Sequence, residues 1–289
     1  MEEQSIRINK YLANLGLCAR REVKEYLKMH DVTINGHKVR EQGDRLNPFK
    51  DVVKIDGEKI KTPKMVYFMI DKPKNVVSTT ADEFGRQDVT SLIPTKERIY
   101  PVGRLDKDTT GLLLLTNDGA LTNLLIHPKY HVDKTYKLMV KGRPNGPQLR
   151  ALRKGVLLND GITAPAKVVV IKSNPTITIM EMTIHEGKNR QIRRMCETVG
   201  LELLELERTK FGPLGLGRLG KGQYRPLTPE EIEKLREVAE ERRNAVPAKP
   251  IRRLPYVAKK KDFAKKDKRR PNRSKRGASA NQLRSRRSR

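Results

Sequence analysis

The sequence of 289 residues contains no tryptophan, only two cysteines and 4% aromatic residues. Its hydrophobic runs are short, and none approaches the ~20 residues that a helix needs to span a membrane. Cys18 and Cys196 stand alone rather than in CxxC pairs, which argues against a zinc knuckle or a disulfide framework. The N-terminus lacks the basic and then apolar layout of a secretion signal. We therefore expect a cytoplasmic protein that does not enter a membrane.

Motifs for cofactors and metals are also missing. No GxxxxGK[ST] phosphate loop occurs. The glycines of residues 215–220 match the dinucleotide pattern GxGxxG, but Pro226 and Pro229 follow too soon for the helix that this pattern requires. His127 and His131 are separated by a proline and have no third ligand nearby. We expect neither a cofactor nor a metal ion.

Positive charge is in excess, because 62 Lys and Arg residues stand against 34 Asp and Glu residues. Residues 248–289 hold 18 basic and 2 acidic residues, with few apolar side chains to bury, which predicts a disordered basic tail. The tail is expected to contact RNA electrostatically, or else to be an appendage for solubility or ribosome proximity without a defined site. The rest of the chain is also basic, so nucleic acid is the first candidate partner.

Residues 1–64 are predicted to form a small N-terminal module. Apolar residues recur at helical spacing in residues 8–15, and a second helix is predicted from about residue 20 to residue 29. Asn35-Gly36 between two β-prone runs predicts a hairpin, because both residues accept a positive φ. Four basic residues lie on and between the two helices: Lys10, Arg20, Arg21 and Lys24. On charge alone, they either bind RNA or form an ordinary solvated helix face.

Three strings of this module carry a resemblance: Arg7-Ile-Asn-Lys-Tyr-Leu-Ala, Cys18-Ala-Arg-Arg-Glu-Val and Val32-Thr-Ile-Asn-Gly. Together they resemble the alpha-L RNA-binding module first seen in a small-subunit ribosomal protein. That module usually has a serine before the Arg-Arg pair, where this sequence has Ala19. The start of the second helix is therefore expected to be weaker by ~1 kcal/mol unless another group serves as its cap.

Residues 65–247 interleave predicted strands and helices without a regular βαβ period, which predicts a mixed sheet with helices packed on it. The strands are predicted at residues 65–70, 112–115, 135–140, 168–171 and 177–184, and the helices at 148–154 and 189–199. Residues 71–74 are predicted to form a turn at Pro73. A last helix begins at Thr228-Pro-Glu-Glu and runs to about Asn244, because threonine is a good N-cap and proline suits the first helical position.

Asp106 stands in a polar loop between Gly103 and Gly111, directly before the apolar residues 112–115. Loops on rigid scaffolds are where catalytic groups concentrate. On this ground alone, Asp106 could equally be an ordinary turn residue.

Residues 103–119, Gly-Arg-Leu-Asp-Lys-Asp-Thr-Thr-Gly-Leu-Leu-Leu-Leu-Thr-Asn-Asp-Gly, resemble the signature of RNA pseudouridine synthases of the RsuA/RluB family. Lys134-Thr-Tyr136 resembles that family's tyrosine motif, and residues 185–197 resemble its third motif. Residues 208–214 and 225–228 resemble the end of its catalytic domain. The resemblance therefore covers about residues 6–240 in the right order.

This resemblance implies an α+β protein, with the alpha-L module followed by a catalytic domain whose mixed sheet is largely antiparallel. It implies a division into residues 1–64, 65–247 and 248–289. By the same resemblance, Asp106 takes the place of the catalytic aspartate, Tyr136 that of the active-site tyrosine, and Arg193 that of the arginine that pairs with the aspartate. Three further RNA-binding candidates are Arg104, Lys188 and Arg190. The first of them would fill the space that a displaced uridine leaves, or else support the loop.

The expected reaction breaks the N-glycosidic bond of a uridine, turns the uracil and rejoins it through C5, without a redox change. An ionised carboxylate can serve as a nucleophile or as the base that takes the ribose 2′ proton. The expected partner is ribosomal RNA or a ribosomal assembly intermediate, bound by a monomer. The resemblance is greater to family members that act on 23S rRNA, with residues 126–130 and 160–166 the most suggestive strings. A 16S rRNA target and a non-catalytic ribosome-assembly factor are the alternatives.

Overall fold

The computed structural model describes residues 5–48, 50–60, 64–80 and 85–244. The basic tail predicted at residues 248–289 lies outside these residues. Across the described ranges, no helix is long and apolar enough to cross a membrane.

The N-terminal module packs two short helices against short strands around a small apolar core that includes Ile8, Leu12 and Val23. The elements are β1 (Ile6–Arg7), α1 (Ile8–Asn14), α2 (Val23–Met29), β2 (Val32–Ile34), β3 (His37–Lys38), β4 (Arg45–Leu46), β5 (Val53–Ile55) and β6 (Glu58–Lys59). Four of the strands form an antiparallel sheet in the order β3-β2-β5-β6, and β1 pairs with β4.

The predicted hairpin is present, and Asn35 and Gly36 have φ of 51° and 84°. The second helix begins at Val23 rather than near residue 20, because residues 20–22 form a turn. No side chain caps this helix, and the Glu22 carboxylate instead accepts a hydrogen bond from the Ala19 backbone N–H at 3.0 Å.

The larger domain is built on a nine-stranded sheet. The strands of this domain are β7 (Tyr67–Lys72), β8 (Tyr100–Pro101), β9 (Thr110–Thr116), β10 (Lys134–Lys141), β11 (Leu157–Leu158), β12 (Gly161–Ile162), β13 (Lys167–Ser173), β14 (Ile177–Ile184), β15 (Leu203–Phe211), β16 (Leu214–Gly215) and β17 (Tyr224–Pro226). The main path of the sheet runs in the order β13-β14-β10-β15-β9-β7-β17, with β16 beside β15 and β8 beside β9, and β11 and β12 form a separate hairpin.

The pairing of β9 with β15 is parallel, and the other pairings in the sheet are antiparallel. The expected α+β class with a mixed, largely antiparallel sheet is therefore confirmed. The parallel pair is short, because it joins only Glu207 to Thr110 and Arg208 to Gly111. It holds the start of β9, and with it the preceding loop, against β15.

Helices cover both faces of the sheet. They are α3 (Gly119–Ile126), α4 (Gly146–Lys154), α5 (Gln191–Thr198) and α6 (Pro229–Asn244), with 3₁₀ turns at Thr90–Leu92 and Pro128–Tyr130. One apolar core lies between β7, β9, α3 and α6, and the other contains side chains of β10, β14, α4 and α5. Thr228 and Glu231 exchange the two hydrogen bonds of a capping box, which confirms the predicted start of α6.

Two features of the sheet differ from the sequence expectation. Strand β7 continues through Asp71 and Lys72, where a turn was predicted, so that the turn begins only at Pro73. Strand β15 was not predicted, because five of its nine residues are charged or polar. It lies between β10 and β9, and this long-range pairing makes it the strand that connects the two halves of the sheet.

Candidate active site

The loop before β9 presents Asp106 at one end of the sheet. Leu105 is buried, and its backbone N–H and carbonyl both hydrogen-bond the Ser78 hydroxyl, at 3.2 Å and 3.0 Å. The Thr109 N–H donates to the Asp106 carbonyl at 3.0 Å and closes a turn after the aspartate. With the backbone fixed on both sides, the Asp106 side chain stays about one-third exposed and opens into a cleft.

A buried lysine supports this loop from below. Lys72 is fully buried, and its ammonium donates to the carbonyls of Pro73 at 2.9 Å, Val76 at 2.8 Å and Lys107 at 3.4 Å. Burial lowers the pKa of Lys72 to about 8, although the carboxylates of Asp106 and Asp108 act in the opposite direction. The sequence did not indicate Lys72 as part of the site, because the pattern of residues 71–74 predicted a turn.

Two arginines of the third motif face the loop. Arg193 lies in the first turn of α5, and its Nη2 donates to the Asp108 carbonyl and to the Thr109 hydroxyl, both at 3.2 Å. The same Nη2 is 3.2 Å from Asp108 Oδ2, whereas its Nε is 3.9 Å from Asp106 Oδ2. The expected contact between Asp106 and Arg193 is therefore present as a loose ion pair, and Asp108 is the closer partner.

Arg190 also belongs to this charge cluster. Its Nη1 lies 3.7 Å from Asp106 Oδ2 and 3.4 Å from Asp108 Oδ1. The residue has a left-handed backbone with φ of 45° at the N-cap position of α5. The sequence analysis proposed Arg190 as an RNA contact, and the structure places it beside both carboxylates.

Tyr136 lies on β10 with its ring mostly buried in the cleft wall. Directly across the β10–β15 pairing stands Arg208, whose Nε donates to the Leu112 carbonyl at 2.7 Å. Burial lowers the pKa of Arg208, and the neighbouring Tyr136 hydroxyl partly offsets this effect. Arg208 is only 2% exposed, and its Nη2 has no hydrogen-bond partner among the described residues. No sequence motif singled out this arginine as part of the site.

Asp106, Tyr136 and Arg193 line one cleft of about 880 Å³, and Arg104, Lys188 and Arg190 line it too. A cleft of this size is in the range of small-ligand sites. Lys188 has a second task, because its ammonium donates to the carbonyls of Asp160, Gly161 and Ile162 at 3.1 to 3.2 Å. It thereby fastens the β11–β12 hairpin to the third motif.

The basic residues predicted in the N-terminal module lie elsewhere. Lys10 and Arg20 line a separate cleft of about 920 Å³ between the module and the larger domain. Burial, and then the nearby Arg20, lower the pKa of Lys10. Arg21 and Lys24 are exposed on the module surface. The structure thus groups the predicted site residues into two clefts and one exposed patch formed by the turn at Arg21 and the first turn of α2.

Comparison with known proteins identifies the family of the chain. A sequence model described as RNA pseudouridylate synthase matches residues 66–198, and one described as S4 domain matches residues 6–53. A curated relative from Bacillus subtilis (strain 168), ribosomal large subunit pseudouridine synthase B, is 43% identical over 242 residues, covering 83% of this chain and 99% of the relative. The chain belongs to the RNA pseudouridine synthase family. The resemblance read from the sequence motifs is confirmed, and with it an enzyme that isomerises uridine in RNA and carries an RNA-binding S4 domain.

Two further comparisons support this membership. The dual-specificity RNA pseudouridine synthase RluF of Escherichia coli O6:H1 is 35% identical, with 80% of this chain and 79% of the relative covered. A solved structure described as a pseudouridylate synthase is 31% identical with a TM-score of 0.58, and covers 80% of this chain and 99% of that one. Family membership removes the alternative of a non-catalytic ribosome-assembly factor.

Proposed function

We propose that this pseudouridine synthase acts on ribosomal RNA and that its target uridine lies in the 23S rRNA. The observation that carries this proposal is the match with the large-subunit enzyme of Bacillus subtilis, which extends over 99% of that enzyme's length. The match with the dual-specificity enzyme of Escherichia coli is lower in identity and covers less of the relative. A 16S rRNA target is the alternative.

In this proposal Asp106 is the catalytic group. Its carboxylate serves as the nucleophile toward C1′ or as the base that takes the ribose 2′ proton. Its one-third exposure in a cleft supports this role, because a displaced nucleotide has to reach the carboxylate directly. Tyr136 forms the cleft wall against which the uracil ring stacks, and Arg104 occupies the space that the displaced uridine leaves.

Arg193 is the proposed partner that orients Asp106. Its Nε is buried without a hydrogen-bond partner among the described residues, and Asp106 Oδ2 is 3.9 Å away. A shift of the aspartate by about 1 Å would turn this ion pair into a hydrogen bond, and catalytic hydrogen bonds commonly tighten when substrate binds. Asp108 and Thr109 hold the other end of the guanidinium in place meanwhile.

We further propose that residues 1–64 form the RNA-binding module, residues 65–247 the catalytic domain and residues 248–289 a basic tail. Lys10, Arg20, Arg21 and Lys24 would contact phosphates and sugar edges rather than read a sequence, since shape and backbone dominate the recognition of folded RNA. The partner is ribosomal RNA or an assembly intermediate, and the enzyme works as a cytoplasmic monomer without a cofactor.

The choice between the two ribosomal RNAs gives a direct prediction. The purified enzyme, incubated separately with 23S and 16S rRNA transcripts, should form pseudouridine at a defined position of the 23S transcript only. Chemical mapping of pseudouridine in each transcript measures this, with reactions lacking enzyme as the control. Pseudouridine formed only in the 16S transcript would contradict the proposed 23S target, although it would still agree with a pseudouridine synthase.

Arg193→Lys should lower kcat by about one to two orders of magnitude, because a lysine keeps the charge but loses the fork that spans Asp108, Thr109 and Asp106. The matched control is Arg194→Lys, one residue along the same helix. Arg194 pairs with Asp160 on the β11–β12 hairpin instead, at 2.9 Å. Equal losses in the two variants would contradict a specific role for Arg193.

A further inference from the structure

Lys134 is a cation of the active-site cleft that the proposed mechanism has not used. It begins β10, two residues before Tyr136, so that both side chains lie on the same face of the strand. It lines the same cleft as Asp106. Its ammonium donates to the Val132 carbonyl at 2.8 Å and lies 5.7 Å from the centre of the Phe211 ring. A lysine has three N–H donors, and within the described residues one of them is satisfied.

The surroundings of Lys134 leave its charge uncompensated. Arg208 of β15 and His185 lie near it, and the His131 ring packs against that of His185. Asp133 is the acidic neighbour, but its Oδ2 lies 3.4 Å from Arg242. Over the described ranges, no carboxylate oxygen lies within ion-pair distance of the Lys134 ammonium. Burying the cations of Lys134 and Arg208 without an anion lowers the stability of the folded protein unless a ligand supplies negative charge.

The position also fits the geometry of a bound base. Residues two apart on a strand are separated by about 6.6 Å. A uracil ring stacked on Tyr136 would therefore have an edge near the Lys134 ammonium, with Arg208 behind the tyrosine. The Nη2 of that arginine is buried and unpartnered among the described residues, so it adds positive potential at the same place.

We propose that Lys134 is a further catalytic residue, whose ammonium contacts a carbonyl oxygen of the target uracil and stabilises the negative charge that the ring acquires during the reaction. This inference rests on the proposed active site around Asp106. When the C1′–N1 bond breaks, its electron pair leaves with the uracil and spreads over the ring nitrogens and oxygens. The C1′–C5 bond then forms with a ring electron pair, while the bond between C1′ and the Asp106 oxygen breaks or, if Asp106 acted as the base, C2′ regains its proton. C5 loses its proton and N1 gains one, so the product is an isomer of the substrate.

The charge on the uracil exists only while the glycosidic bond is broken. A cation that contacts it therefore stabilises the transition state more than the bound substrate, and its loss should affect kcat rather than KM. A lysine that contacts a phosphate of the RNA would behave in the opposite way, since that charge is present before and after the reaction. The split between kcat and KM distinguishes the two roles.

The pH dependence supplies a second readout. Burial, and then the neighbouring Arg208, lower the pKa of Lys134 to about 8, with Asp133 opposing. The ammonium is the active form, so the wild-type rate should fall as the pH rises through about 8. Burial also lowers the pKa of His185, and so places its titration on the acid side of neutrality rather than on this alkaline limb. The other charged or titratable groups that line the cleft are Arg104, Asp106, Tyr136, Glu186, Lys188, Arg190, Arg193 and Arg208. Lys72 lies beneath the Asp106 loop, and burial lowers its pKa to about 8 as well. The part of the alkaline fall that belongs to Lys134 is therefore the part that Lys134→Arg removes.

The test uses the full-length enzyme and tritium release from C5 of labelled uridine in an rRNA transcript. Lys134→Met should lower kcat by about 100-fold with KM within about threefold of wild type. Lys134→Arg should keep part of the rate and show a smaller alkaline fall near pH 8 than the wild type, because a guanidinium stays protonated there while Lys72 still titrates. The matched control is Lys137→Met, which removes an exposed lysine of the same strand and should leave both constants unchanged.

Full activity of Lys134→Met, or a rise in KM with kcat unchanged, would overturn the proposal. An alkaline fall in Lys134→Arg as large as that of the wild type would overturn it as well. Circular dichroism of each variant shows whether it is folded, and if Lys134→Met is not, the Lys134→Arg pH profile decides. If instead the proposed active site around Asp106 is wrong, the Asp106→Asn enzyme should remain active, and this result distinguishes the two cases.

Discussion

Asp106→Asn should lower the rate of pseudouridine formation on the order of 10³-fold or more. The substitution keeps the size of the side chain but removes the charge and the nucleophilic or basic oxygen on which both possible routes depend. RNA affinity should stay within about twofold of wild type, because phosphate contacts dominate it. Tritium release from C5 measures the rate, and a filter-binding or anisotropy assay measures the affinity.

The controls for this variant follow from the contacts of the loop. Asp108→Asn should be impaired to an intermediate degree, because Asp108 holds Arg193 and Arg190 at 3.2 Å and 3.4 Å without being the reacting group. Glu205→Gln removes an exposed carboxylate of β15 that pairs with Lys74 and should behave like wild type. Wild-type release by Asp106→Asn, or an equal loss in Asp108→Asn with the fold intact, would refute the assignment.

Gly111→Ala should lower the free energy of unfolding by roughly 3 kcal/mol or more. Gly111 has φ of +106°, and a β-carbon there would lie 2.3 Å from the Arg208 carbonyl oxygen and 2.6 Å from its backbone nitrogen. Both atoms belong to β15, so the added carbon forces apart the short parallel pair that holds the start of β9.

Urea denaturation followed by circular dichroism measures this loss, and Gly217→Ala is the matched control. Gly217 also has a positive φ, of +64°, but no atom lies within 4 Å of the position of its β-carbon. Its substitution should therefore cost only the backbone strain, about 1 kcal/mol. Similar losses in the two variants would show that the close approach at Gly111 does not determine the stability of the β9–β15 pairing.

The features that the sequence predicted well depend on local signals. The Asn35-Gly36 turn, the capping box of Thr228 and Glu231, and the apolar strand β9 each follow from a few neighbouring residues. Local signals also explain the error at Lys72. Pro73 marks a turn correctly, but the strand runs up to it because β9 and β17 pair with β7 on both sides.

The parts of the site that the sequence did not predict depend on long-range pairing. Arg208 joins the site because β15 places it opposite Tyr136 and beside Leu112, 96 residues away in sequence. The contact of Asp108 with Arg193 spans 85 residues and depends on how α5 packs over the loop. Motif resemblance indicated Asp106, Tyr136 and Arg193, but no periodicity or spacing could indicate which carboxylate lies closer to the arginine.

The measurement that tests the account most directly is a map of pseudouridines in the ribosomal RNA of three strains: wild type, a strain without the gene, and that strain expressing Asp106→Asn. We expect one or a few 23S positions to carry pseudouridine in the wild type, to lose it when the gene is absent, and not to regain it when Asp106→Asn is expressed. Identical maps in all three strains, or restoration by Asp106→Asn, would contradict it.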